Sequence, residues 1–280
     1  MIVVTGATGN IGRTLVPMLA DAGEKVVAVS RGSAVSLPDG VDHRRADLAD
    51  TAQLPSAFAG ADALFLLLSG ELGFTGPDPA ETIRIAADAG VRRVVFLSSL
   101  SVVTRPGRLS ATRLVDFEAA LRNSGLEWTV LRPGGFFSNS FAWADSVRTE
   151  RAVFAPFGDT GLPHVDPADI AAVAAAALRS PEHAGKVYTL TGPHLVTPRE
   201  QARALAAELG EPVRFVELSR AQAFTAMTEF MPGPVAEDTL SILGEPTAAE
   251  LAVSPDIERV LARPATDYAT WVRANLAAFR

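Results

Sequence analysis

The chain has 280 residues, 48% hydrophobic content, no cysteine and a formal net charge of −7. Its length supports a core that buries on the order of three quarters of the unfolded chain's surface. The missing cysteine excludes disulfides, thiolate metal sites and a cysteine nucleophile, and the acidic balance argues against nucleic-acid binding, which needs clustered cations.

The first predicted element is an apolar strand, Ile2–Thr5, that runs into Gly6-Ala7-Thr8-Gly9-Asn10-Ile11-Gly12 and then a helical stretch, Ile11–Ala22. Such a loop lets the backbone turn tightly and approach a pyrophosphate, while the helix N-terminus offers unpaired N–H groups and partial positive charge. A second strand, Lys25–Ser30, completes the βαβ context that gives the glycine pattern its meaning. Residues 6–12 are therefore expected to bind a dinucleotide; the alternative is a tight strand-to-helix turn with no ligand. The loop begins at Gly6, which leaves no room for a signal peptide. The longest apolar run, Ile170–Leu178, is mostly alanine and too short for a bilayer, so a soluble cytoplasmic protein is expected.

Further strands are predicted at Val41–Ala46, Ala63–Leu68, Arg93–Ser98, Glu127–Leu131 and Lys186–Leu190, with helices at Asp78–Ala89, Leu109–Asn123 and Ala168–Leu178. The all-apolar runs suit parallel strands covered on both faces, and Gly23, Gly90 and Gly125 supply helix stops. This rhythm predicts an α/β fold, a Rossmann-type doubly wound parallel sheet. After Leu131 the pattern breaks at Arg132-Pro133-Gly134-Gly135 into an aromatic-rich segment. Beyond Thr191 the chain reads mainly helical: Pro198–Leu209, Arg220–Met231, Val235–Leu243 and Asp267–Phe279, with one strand, Val213–Leu218. The expected division is a dinucleotide-binding core, 1–132 with 166–191 returning to it, and a smaller, mainly helical substrate lobe, 133–165 and 192–280.

The end of the second strand selects the cofactor. An NAD-preferring fold places a carboxylate there for the ribose hydroxyls. Here Ser30 and Arg31 stand in that place, and a guanidinium suits a 2′-phosphate. NADP(H) is the expected cofactor, an ordinary solvated arginine the alternative. Asp47, in Ala46-Asp47-Leu48, either accepts from the adenine amino group or holds a local turn. Leu67-Leu68-Ser69 closes the fourth strand beside the expected adenosine ribose, where the leucines are core by default.

Taken together, Gly6–Gly12, Arg31, Ala46-Asp47-Leu48, Phe96-Leu97-Ser98-Ser99 and Leu131-Arg132-Pro133-Gly134 resemble the atypical short-chain dehydrogenases/reductases. The stretch Ser124 to Pro133, Val165-Asp166-Pro167-Ala168-Asp169-Ile170-Ala171 and Tyr188-Thr189-Leu190-Thr191-Gly192-Pro193 are similar to the NmrA-like branch, which includes NADPH–quinone oxidoreductases. The resemblance covers most of residues 1–215. It implies a substrate cleft between sheet and lobe, and a cofactor-binding set extended to Leu48, Ser98, Pro133 and Gly134.

One part of the family pattern is absent. Typical members carry Tyr-x-x-x-Lys, whose ammonium lowers the phenol's pKa from about 10 so that it exchanges a proton with substrate. This chain has Tyr188, Tyr268, Lys25 and Lys186 in no such spacing, and aligning Glu118 with the family's glutamate puts Ser110 and Leu114 at the Tyr and Lys places. Two expectations follow. Either hydride passes to a quinone or similar conjugated, aromatic acceptor that needs no strong protein acid, or the chain is a non-catalytic NADP(H) redox sensor. An epimerase or dehydratase is disfavoured by the same missing tyrosine. Among Phe136, Phe137, Phe141, Trp143, Phe154 and Phe157, lobe core competes with substrate contact; Phe136 and Phe137 are the expected substrate contacts. Ser98 and Ser99 end the fifth strand, where Ser99 is a candidate hydrogen-bond donor to substrate oxygen or a strand-end cap. His164 is a candidate proton source, and the four histidines show no metal-site spacing.

Overall fold

The computed structural model describes residues 1–32, 36–68 and 70–280. Nine strands are found among them: β1 (Ile2–Thr5), β2 (Val26–Ser30), β3 (Asp42–Arg45), β4 (Ala63–Leu67), β5 (Arg93–Leu97), β6 (Glu127–Pro133), β7 (Ala152–Ala155), β8 (Lys186–Leu190) and β9 (Arg214–Glu217). The helices are α1 (Gly12–Asp21), α2 (Leu54–Phe58), α3 (Pro79–Asp88), α4 (Ser101–Thr104), α5 (Leu109–Arg122), α6 (Ala144–Glu150), α7 (Pro167–Arg179), α8 (Pro198–Leu209), α9 (Arg220–Met227), α10 (Gly233–Gly244), α11 (Asp256–Leu261) and α12 (Tyr268–Ala274). The chain divides into two compact units: residues 1–133, 167–190 and 259–262, and residues 134–166, 191–258 and 263–280.

The first unit is a seven-stranded parallel sheet in the order β3-β2-β1-β4-β5-β6-β8. It is a Rossmann-type doubly wound α/β fold. The order reverses between β1 and β4, and ligands of such sheets bind outside the strand C-termini at that reversal. β1 and β2 are buried at every residue, which explains their unbroken apolar runs. The edge strand β3, Asp-His-Arg-Arg, is polar and partly exposed, and charge on an edge discourages pairing with other chains.

On one face Val3, Leu64, Leu66, Val94 and Phe96 pack with Leu54, Phe58, Ile83, Phe117 and Leu121; the Phe96 and Phe117 rings stack at 5.5 Å. The other face is covered by α1 and α7. Local signals set the helix ends. Asp78 caps α3 by accepting the Ala80 N–H at 2.9 Å, Pro79 begins it, and Gly90 follows its last turn at φ +92°.

In the second unit β7 and β9 form a short parallel pair. Its core gathers Phe137, Val147, Val153, Leu205, Trp271, Val272 and Phe279. Thr197 and Glu200 make a reciprocal capping box at the start of α8. β7 is absent from the sequence reading because four apolar residues inside an aromatic-rich stretch carry no usable period. The expected helix Asp267–Phe279 ends at Ala274 and continues as a 3₁₀ turn, Leu276–Phe279; the Asn275 side-chain amide donates to the Trp271 carbonyl at 2.8 Å, where the turn tightens. Among the described residues, no helix is long and apolar enough to cross a membrane.

Candidate cofactor and active site

The glycine loop leaves the C-terminal end of β1 at the strand-order reversal. Ala7 N–H bonds to the Val29 carbonyl at 3.2 Å and Gly9 N–H to the Gly6 carbonyl at 2.9 Å, which closes the turn. Two glycines are obligatory. Gly6 takes φ +60°, and a Cβ there would collide with the Leu67 side chain at the end of β4; a Cβ on Gly12 would collide with the Gly6 carbonyl oxygen and the Ala7 backbone. The main-chain N–H groups of Thr8, Ile11 and Gly12 have no acceptor among the described residues. A tight cradle with unspent donors at a helix N-terminus fits a pyrophosphate.

Around the cradle, Ser30 is buried and its Oγ lies 2.8 Å from His43 Nε2, while Arg31 is exposed. One Asp47 carboxylate oxygen accepts the Ala49 N–H at 3.0 Å, an Asx turn, and the Asp47 N–H donates to Gln53 Oε1 at 3.0 Å. Leu48 and Leu68 pack partly buried on the sheet core. Ser69 lies outside the described residues.

The ends of β5 and β6 are tied together: Ser98 N–H donates to the Leu131 carbonyl at 2.8 Å, and Leu100 N–H to the Pro133 carbonyl at 2.9 Å. Beneath them lies a buried carboxylate. Glu118, on α5, accepts from Arg132 Nε at 2.9 Å and Nη2 at 2.5 Å, from Arg122 Nη2 at 2.7 Å and from Ser98 Oγ at 2.6 Å. Burial by itself raises its pKa; the hydrogen bonds from Arg132, Ser98 and Arg122 outweigh that and hold it below the ordinary glutamate value. In the sequence Glu118 stands out only as the counterpart of the family's glutamate. Its signal was an acid at a position that folds inward on α5, followed by an arginine at the end of the next strand.

This network separates the two serines. The Ser98 proton is committed to Glu118. Ser99 Oγ accepts from Ser101 N–H at 3.2 Å and from Ser101 Oγ at 2.9 Å, so it closes a turn just before α4, and no acceptor for its own proton lies among the described residues. Neither tyrosine takes the missing acid's role at this place. The Tyr268 hydroxyl donates to Ser140 Oγ at 2.8 Å in the second unit's core, where burial raises its pKa. The Tyr188 hydroxyl bonds to His183 Nδ1 at 2.8 Å.

In the second unit, residues 134–137 run beside 163–165: Val165 N–H donates to the Gly135 carbonyl at 2.8 Å, and Phe137 N–H to the Val165 carbonyl at 2.9 Å. The His164 ring lies so close over Gly135 that a Cβ there would collide with it. His164 Nδ1 is buried with no hydrogen-bond partner among the described residues, and burial lowers the pKa to about 4. At neutral pH it is an uncharged imidazole, able to give an N–H hydrogen bond but not to act as an imidazolium acid.

Phe136 is half-buried. Phe137 requires a correction: it is fully enclosed, edge-on to Tyr268 at 5.1 Å and tilted against Trp271 at 6.2 Å, so it is core and not a substrate contact. Phe141, stacked on Phe279 at 5.9 Å, is part of the same cluster. The reason is local: Phe137 opens a 3₁₀ turn, Phe137–Trp143, which packs Phe137, Phe141 and Trp143 into that cluster.

Comparison with known proteins adds the decisive observation. A family model described as NAD(P)H-binding matches residues 6–181. The chain belongs to this NAD(P)H-binding family. It is 39% identical over 282 residues, covering all of this chain and 99% of the relative, to a (4-alkanoyl-5-oxo-2,5-dihydrofuran-3-yl)methyl phosphate reductase of Streptomyces griseus. It is 32% identical over 288 residues, with the same coverage, to an NAD(P)H azoreductase of Xenophilus azovorans. Among solved structures, the NADPH-dependent quinone oxidoreductase of Escherichia coli, complexed with NADPH, superposes with a TM-score of 0.81 at 29% identity, covering 99% of this chain and 100% of that one. The likeness drawn from the motifs, to the branch of atypical short-chain reductases that contains quinone oxidoreductases, therefore holds. The family member is an NAD(P)H-dependent oxidoreductase.

Proposed function

We propose that this chain transfers hydride from NADPH to a small conjugated acceptor such as a quinone, an azo compound or an alkanoyl-substituted unsaturated lactone. The carrying observation is the composition of α5 and of the end of β5: Ser110 and Leu114 at the places of a Tyr–Lys pair, and Ser99, whose hydroxyl proton has no acceptor among the described residues. The acceptors in the names of the three relatives share one property. In each, hydride addition leaves a negative charge spread into the attached conjugated or aryl system rather than held on one oxygen. A simple ketone leaves a localised, strongly basic alkoxide and needs a proton in the transition state.

The reduced nicotinamide supplies the hydride when bound. The chain's own residues do the rest. Residues 6–12 hold the pyrophosphate on main-chain N–H groups, with Arg31 toward the 2′-phosphate. Asp47, Leu48, Leu67 and Leu68 border the adenosine half, and Pro133 and Gly134 the nicotinamide half. Ser99 donates its proton in a hydrogen bond to the acceptor's developing anion, and the Ser101 N–H and hydroxyl bonded to Ser99 Oγ make that donor stronger. The half-buried Phe136 ring is the aromatic contact left for a flat substrate.

Loss of reduced-nicotinamide absorbance, followed with a benzoquinone, an azo dye, an unsaturated lactone and a plain aliphatic ketone, tests the proposal. Turnover is expected with the conjugated set and not with the ketone; ketone reduction at a comparable rate overturns the argument. Ser99→Ala should lower kcat/KM for the best acceptor about tenfold while NADPH binding is kept, a smaller loss than oxyanion-hole deletions on localised anions give.

A further inference from the structure

We propose that Arg45, on β3, is the second cation of a phosphate-reading corner and sets the preference for NADPH over NADH. The inference rests on the reading of residues 6–12 as the pyrophosphate cradle, which puts the 2′-position of the adenosine ribose at the ends of β2 and β3.

The β2–β3 register pairs Ser30 with Arg45 and Ala28 with His43. Side chains alternate along a strand, so His43 and Arg45 share one face and Arg44 takes the other. Arg44 is spent on structure: its Nη1 donates to the carbonyls of Ala59 at 2.8 Å, Ala57 at 3.1 Å and Ser56 at 3.3 Å. On the opposite face, His43 Nε2 holds the Ser30 hydroxyl at 2.8 Å. Arg45 Nε donates to the Arg31 carbonyl at 3.0 Å. That bond anchors the base of the guanidinium at the strand end and leaves its two terminal nitrogens for another partner.

Charge makes the case. The chain carries an excess of acids, net −7, and arginines elsewhere, such as Arg84, Arg93, Arg132, Arg179 and Arg220, hold carboxylates. Arg31 and Arg45 are adjacent and exposed, and neither has a carboxylate partner among the described residues. Asp47, two residues on, has turned an oxygen back onto the Ala49 N–H. Two neighbouring guanidiniums without an acid, beside a held serine hydroxyl, form the donor set for a phosphate dianion. A bare ribose diol calls for an acceptor, and this corner offers cations instead.

The test is fluorescence titration of wild type, Arg45→Met, Arg45→Lys and Arg31→Met with NADPH, NADH, 2′,5′-ADP and 5′-ADP. Arg45→Met should weaken NADPH and 2′,5′-ADP about tenfold and leave NADH and 5′-ADP within about twofold, the scale of one charge-assisted hydrogen bond. Arg45→Lys should recover part of the loss. Equal weakening of NADPH and NADH, or unchanged NADPH binding in Arg45→Met, overturns the role of Arg45. If wild type binds NADPH and NADH alike, the 2′-phosphate reading itself falls and this inference with it. A wild type that prefers NADPH through Arg31 alone defeats only Arg45.

Discussion

The C-terminal end of β1 and the C-terminal ends of β5 and β6 do different work with different materials. At β1 the proposed ligand site is made of main chain: Gly6 held at φ +60°, Gly12 with no room for a Cβ, and N–H groups with no acceptor among the described residues. At β5 and β6 it is made of side chains, Ser98, Ser99, Glu118 and Arg132, whose roles depend on which proton each has already given away. A backbone site announces itself through glycine, because few other residues tolerate its geometry. A side-chain site does not, because serine and glutamate serve equally well in caps, cores and catalysis.

Three experiments press on that contrast. Gly12→Val should abolish measurable NADPH binding, a loss of more than about a hundredfold, because the new side chain enters the carbonyl and backbone that the cradle is built from. Retained binding in a titration would mean that the loop is a mere turn.

Glu118→Ala should next lower unfolding free energy by about 3 kcal/mol in urea, since it leaves Arg132 without its acid in a largely buried place. The folded pKa of Glu118 is depressed, so its contribution is present above the ordinary glutamate pKa and fades as pH falls through the folded value. Wild type and variant should therefore converge in stability in acid. A constant gap at all pH values would show that the charge plays no part.

His164→Phe gives an effect confined to acid. The wild-type imidazole titrates at about 4 in the folded chain against 6.5 in the unfolded one. Between those values the unfolded state binds more protons, so stability is full above pH 6.5 and lost progressively toward pH 4, by about 3 kcal/mol in all. The variant should lack that part of the slope. An unchanged slope in pH-dependent unfolding would show that His164 is not held neutral by burial.

Much of the sheet was legible because parallel strands covered on both faces are written as unbroken apolar runs. Ile2–Thr5 is found with the expected bounds, and Val26–Ser30 and Ala63–Leu67 within one residue at an end; the edge strand Lys186–Leu190, partly exposed and not an apolar run, also keeps its bounds. The short helices α2, α4, α6 and α11 escaped, being too brief to show a helical period. Phe137 shows the limit most plainly. Its place after Gly134-Gly135 suggests a site, but aromatic character is shared by cores and pockets, and only the packing of Tyr268 and Trp271 around it assigns it to the core.

By itself the sequence determined what must be local: the turn after β1, the absence of a carboxylate after β2, and the lack of a Tyr–Lys pair four residues apart. Those features follow from steric demands and residue inventory within a few positions. The tertiary structure decided what joins distant positions. It brought Arg45 beside Arg31 through the β2–β3 register, gave the Ser98 proton to a glutamate twenty residues away and that of Ser99 to no acceptor among the described residues, and closed His164 over Gly135. Hydrogen-bond partners and burial are properties of the folded neighbourhood, and no spacing along the chain encodes them directly.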